Sequence, residues 1–130
     1  MIKASNKTFY ANIFIGTNPG YDGVGGEFYD NIYYPKVKRI CETFVEKGLC
    51  VTIKKIEFIY TGGGEKGFEI GLIQYPRFKR TEYEILNDAA DLAVILMKDL
   101  KQFRCSIVTP NQTYLLENEA MLMDEEYTDK

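Results

Sequence analysis

The hydrophobic period of this chain switches from two to 3.6 and back, twice, and that alternation restricts the fold more than any other feature. In residues 8–16, TFYANIFIG, the side chains of Phe9, Ala11, Ile13 and Ile15 share one face. Thr8, Tyr10, Asn12 and Phe14 share the other, which is the pattern of a strand. From Asn31 to Lys47 the spacing is helical: Val37, Ile40, Cys41, Phe44 and Val45 recur with charged residues between them. Asp30 offers an N-cap, Pro35 is tolerable only in the first turn, and Gly48 can end the helix. Residues 49–61, LCVTIKKIEFIYT, and 67–75, GFEIGLIQY, return to strand. The inward parity of the former slips near Lys54–Lys55, which predicts a β-bulge there. Thr81 to about Gln102 is a long helix, opened by a Thr81-x-x-Glu84 capping box. Its core stripe is Ile85, Leu86, Ala89, Leu92, Ala93, Leu96, Met97 and Leu100. RCSIVT (104–109) is a further strand, and QTYLLE (112–117) extends the sheet after a turn at Pro110–Asn111.

The order β-α-β-β-α-β predicts an α+β, single-domain ferredoxin-like fold, an antiparallel sheet with two helices on one face. The compact domain is expected over residues 1–117, with an acidic C-terminal tail at 118–130. The face without helices, carrying Tyr10 and Phe14, is expected to meet a partner or a ligand. Between Leu92 and Met97 the long helix is apolar almost all round. Val94 and Ile95 lie off its stripe, which predicts a dimer or higher homo-oligomer unless the first loop or the tail folds over them.

Composition removes several functions. There is no histidine, so Ser-His-Asp and Cys-His catalysis and imidazole-ligated zinc are excluded. The formal net charge of -3 argues against duplex nucleic acid as a partner. No apolar run is long enough to span a bilayer, and MIKASNKTFY lacks a signal-type apolar core, so the expected address is the cytoplasm. Cys41, Cys50 and Cys105 have no CxxC spacing and read as buried free thiols; no metal site and no cofactor are expected.

Two glycine clusters invite a phosphate-binding reading. GGGEKG (62–67) lies between two strands and lacks the helix that a phosphate loop opens, so it reads as a hairpin. GTNPGYDGVGG (16–26) lacks GxGxxG spacing and reads as a loop. The stronger signal is YPRFKRT, which places Arg77, Lys79 and Arg80 at a helix N-terminus, where cations are disfavoured by about 0.3–1 kcal/mol each. Glu82 and Glu84 relieve this locally; a bound phosphate would also do so. Phe78, between Arg77 and Lys79, could stack on a base, so a small anionic nucleotide-like ligand is the expected partner.

The run VTIKKIEFIYTGGGEKGFEIGLIQYPRF, the long helix after it and QFRCSIVTP resemble small phage-encoded proteins, and among them the phage anti-Thoeris sponges, over about residues 8–117. That resemblance implies a compact oligomer that sequesters cyclic ADP-ribose signals of TIR-domain defence enzymes without cleaving them. A phenylalanine, an asparagine and arginines form the pocket in that family, and the similar positions here are Phe78, Asn87 and Arg104. Asn87 lies opposite the core stripe. Phe78 and Arg104 bracket a helix roughly 33 Å long, so they can share a pocket only across two subunits. The expected ligand-binding set is therefore Phe78, Arg77, Asn87 and Arg104, with no catalytic residue, in a non-catalytic phage counter-defence protein. The alternatives are an enzyme that cleaves nucleotides or phosphate esters without histidine, with Arg77 on the phosphate and Asp88 or Asp91 as base, and a protein–protein inhibitor using the open sheet face. An RNA-binding module lacks both an RNP1-like string and basic charge.

Overall fold

The alternation in the first strand places it at the centre of a sheet. In the computed structural model, which describes residues 1–17, 29–77 and 80–119, β1 (Tyr10–Gly16) buries Ala11, Ile13 and Ile15 and turns Phe14 and Gly16 to the other side. It pairs antiparallel with β3 (Gly63–Ile73) and β4 (Arg104–Val108). β2 (Val51–Tyr60) lies outside β3 and β5 (Thr113–Glu117) outside β4, giving a five-stranded antiparallel sheet in the order β2-β3-β1-β4-β5. Its first four strands stand in the order expected of a split βαβ fold, and β5 extends one edge. The single-domain α+β architecture expected from the sequence is the one found.

Two helices cover one face. α1 (Tyr34–Phe44) is entered through a π-helical turn, Tyr29–Tyr33, and left through a 3-10 turn that Gly48 closes at φ 96°. α2 (Glu82–Leu100) opens with the capping box: the Glu84 amide donates to Thr81 Oγ1 (3.0 Å) and the Thr81 amide to Glu84 Oε1 (2.9 Å). Ile85, Ala89, Leu92 and Leu96 of α2 meet Ile13, Ile70 and Ile107 of the sheet in the core. Each fully buried Leu or Ile side chain adds about 1.5–3 kcal/mol. Asn118 is buried beyond β5, and its amide donates to the Phe103 carbonyl (2.7 Å), so packing continues past Glu117. No helix among the described residues is long and apolar enough to cross a membrane.

Two local expectations are corrected. There is no bulge in β2: its register with β3 runs unbroken from Val51↔Leu72 to Tyr60↔Gly63. The parity slip has another cause. Lys55 takes an inward-parity position next to Phe68 at the margin of the helical layer. There its ammonium sits over the Tyr34 ring (4.6 Å to the centroid) and pairs with Asp30 Oδ1 (2.9 Å). Ile56, Phe58 and Tyr60 consequently face the side that has no helices. The GGGEKG stretch is also mostly strand. The turn is Thr61–Gly62, with Gly62 at φ 85°, and Gly63 already pairs with Tyr60. The Gly-rich loop over 18–28 and the tail from residue 120 lie outside the described residues.

Candidate functional site

The open face of the sheet carries the most unusual side chain of the structure. Its floor is bare, because Gly16 of β1 and Gly67 of β3 face each other across the ladder. A Cβ on Gly67 would fall 2.5 Å from Phe58 Cε2 and 2.4 Å from the Ile15 carbonyl oxygen, so this glycine is needed for close approach. The Phe58 ring rests across it. Phe14, Phe58, Tyr60, Ser106, Arg104 and Leu115 surround a shallow depression of about 300 Å³, open to solvent.

Glu65 of β3 enters this depression. Its Oε2 is buried and makes no hydrogen bond among the described residues. Burial holds the carboxyl above its ordinary value of 4.5. Arg104 is the cation lining the same depression, but its Nε–H donates to Glu117 Oε2 (2.8 Å) on β5. A half-dry carboxylate beside aromatic rings is complementary to a compact cation, which gains from both the charge and the ring faces.

The residues predicted from the sequence fall in different places. Arg104 lines this depression. Asn87 is exposed in the second turn of α2, about 20 Å along the axis from the helix end that leads to Arg104, and Arg77 is exposed before the helix begins. A single chain does not bring them together with Arg104, and Phe78 lies outside the described residues. Of the cations crowded before α2, Arg80 is engaged by an ion pair with the buried Asp88 carboxylate. Asp88, one of the two bases considered for an enzyme, is thereby occupied; Asp91 lies exposed on the outer face of α2. Cys41 and Cys105 are buried thiols raised to about 11 by burial, whereas Cys50 is exposed. Val94 and Ile95, 41% and 40% exposed, line a groove with Ile40 and Phe44 of α1.

Sequence reasoning missed Glu65 because it sat inside an assumed loop. The signal that could have found it is the parity slip in β2. Read as an unbroken strand, β2 puts three apolar residues on a face with no helix to cover them, opposite the Glu65 strand.

Neither a protein-family model nor a curated protein matches the sequence. Two solved structures share the fold. A phage SAM lyase in its apo state is 17% identical, with a TM-score of 0.59 over 84% of this chain and 88% of that one. A phage SAM lyase in complex with S-methyl-5'-thioadenosine is 15% identical, with a TM-score of 0.61 over 90% of this chain and 95% of that one. The resemblance read from the sequence and these structures agree on the level of small phage proteins, one of them solved with a nucleoside-type ligand. Neither structure supports sequestration of a cyclic ADP-ribose isomer. The expectation that the chain is not an enzyme is corrected: the two solved structures described above are SAM lyases, which points toward an enzyme.

Proposed function

We propose that the protein is a lyase acting on a sulfonium nucleoside of the S-adenosylmethionine class, with the open sheet face around Glu65 as its site. The observation that carries this reading is the buried, unpartnered Glu65 carboxylate among Phe14, Phe58 and Tyr60. A trivalent sulfur cation suits that environment better than the anion expected from the sequence. The shared fold with SAM lyases supports the choice of sulfonium over other cations.

The chemistry asks little of the protein. The bond between sulfur and the amino-acid carbon breaks, its electron pair stays on sulfur, and a neutral thioether leaves. Without water, the carbon is satisfied from within the substrate: its own carboxylate oxygen closes on it as a lactone, with no net proton transfer. Sulfonium and carboxylate charges both disappear, so an apolar wall favours the less charged transition state over the ionic substrate. Glu65 binds the sulfonium, and the rings of Phe14 and Phe58 exclude water from it. The other charged groups of the depression, Arg104 and Glu117, are paired with each other. Arg104 and Glu117 thus form a polar rim that can meet the amino-acid end.

The test is incubation with S-adenosylmethionine and chromatographic detection of methylthioadenosine. Wild type releases it, and Glu65→Gln loses most of its kcat/KM, chiefly through a higher KM. The neutral thioether S-adenosylhomocysteine binds more weakly than the sulfonium by about 10–150-fold, the size of a lost charge-assisted contact. No methylthioadenosine from wild type, or full activity in Glu65→Gln, removes the proposal.

A further inference from the structure

Gly16 has no conformational reason to be glycine. It lies inside β1, pairs with Gly67, and is not among the positions with positive φ. Its reason is space. A Cβ built on it would stand 2.2 Å from Glu65 Oε2 and 2.7 Å from Glu65 Cδ. The Glu65 side chain therefore lies down on the backbone of β1, in the volume that any other residue at position 16 would fill. The opposite glycine is different in kind: a Cβ on Gly67 meets the main-chain oxygen of Ile15, which cannot move aside cheaply.

We propose that Gly16 is the positioning residue for Glu65: its missing side chain is the berth that holds the carboxylate against the sheet, away from water and unpaired. This inference rests on the reading of Glu65 as the group that meets the sulfonium, and it adds the device that keeps that group poised. Without the berth, the carboxylate swings toward solvent and becomes an ordinary surface acid. It then attracts a cation weakly, because water screens it. The direction of the Glu65 titration agrees with the geometry, since burial raises it. The charged and titratable groups facing it are Tyr60 from β2, Arg104 from β4 and Glu117 from β5. Lys54 and Glu69 pair with each other (3.8 Å) further along the same face, and β1 offers Asn12, Phe14 and Gly16 there, with Tyr10 at its far end.

The experiment uses the full chain with Gly16→Ala, Glu65→Asp and the double variant. Carboxyl carbon NMR follows the Glu65 titration without any ligand, and S-adenosylmethionine turnover follows function. Gly16→Ala folds with a nearly unchanged melting temperature, because only the end of a flexible side chain obstructs the new methyl. Its Glu65 titrates lower than in wild type, near the ordinary carboxylate range, and KM for S-adenosylmethionine rises by about ten-fold or more. Adding Glu65→Asp to Gly16→Ala restores part of the affinity relative to Gly16→Ala alone, because the shorter acid no longer reaches the methyl. An unchanged Glu65 titration in Gly16→Ala overturns the proposal. So does a collapse of stability in Gly16→Ala that persists when Glu65 is also replaced by alanine, since the obstruction would then be backbone. A shifted titration without turnover in any variant, wild type included, leaves the berth standing and removes the lyase reading.

Discussion

Replacing Glu65 with methionine should make the unliganded protein more stable. Methionine has nearly the same length, no charge and no polar atom to satisfy, and it suits the neighbouring rings of Phe14 and Phe58. In wild type the buried Oε2 has no hydrogen-bond partner among the described residues. An acceptor stranded in this way costs about 1–3 kcal/mol. For a chain of this size that corresponds to a rise in melting temperature of roughly 3–10 °C in Glu65→Met. The pH dependence follows from the direction of the shift. Burial raises the Glu65 pKa in the folded state above its ordinary value of 4.5. The folded chain therefore holds this proton more tightly than the unfolded chain. The contribution of the protonated group is fully present below the unfolded value and is lost as pH rises through the folded value. The advantage of Glu65→Met is then largest at pH 7 and shrinks as the solution is acidified. Thermal melts of both proteins at neutral and acid pH measure it, with Glu57→Met, an exposed change on the other face of β2, as control. A lower melting temperature for Glu65→Met at pH 7, or a difference that does not vary with pH, would refute the reasoning.

Thr81→Ala removes one half of the capping box and should cost about 1 kcal/mol in a urea titration; no loss would mean that the helix start is held by other contacts. Thiol labelling near pH 8 should modify Cys50 first, with Cys41 and Cys105 slow because both are buried and raised to about 11; three equal rates would contradict the core packing. Light scattering at micromolar concentration should give at least a dimer, and Val94→Glu should shift it toward monomer with little change in melting temperature. A wild-type monomer would assign no assembly role to the groove of Ile40, Phe44, Val94 and Ile95.

The elements themselves were legible in the sequence because each buries one face. Strand β1 and helix α2 show their periods without interruption, and Thr81 and Glu84 mark the helix start by chemistry alone. What failed depended on contacts between elements. Lys55 at an inward position looks like a register error until Tyr34 and Asp30 are seen around it. Glycine carries two meanings that the sequence does not separate. Gly62 supplies a turn with positive φ, whereas Gly16 and Gly67 supply room. Treating the cluster from Gly62 to Gly67 as one turn hid Glu65 inside it. The cations before α2 were visible, but the Arg80–Asp88 pair, eight positions apart and closed by the approach to the helix, was not. The placement of Phe78 falls outside the described residues.

The open face joins these observations into one argument. A two-layer fold leaves one side of its sheet for solvent, and that side should be polar. Here it carries Phe14, Phe58 and Tyr60, and Leu115 stands 65% exposed beside them on the outer strand β5. Side chains alone do not explain the depression; the glycines of β1 and β3 make it by removing the layer of Cβ atoms. Two costs are then held in one place, apolar surface in water and a carboxylate partly out of it. The carboxylate cost could be removed by a single substitution, methionine at Glu65, and the apolar cost by serine at the rings, without touching the core between sheet and helices. Their joint presence is accounted for if something that is both apolar and positively charged covers them, because the same contact offsets both. A nucleoside sulfonium has that combination, and its neutral thioether product keeps only the apolar half, which lets the product leave once the bond has broken.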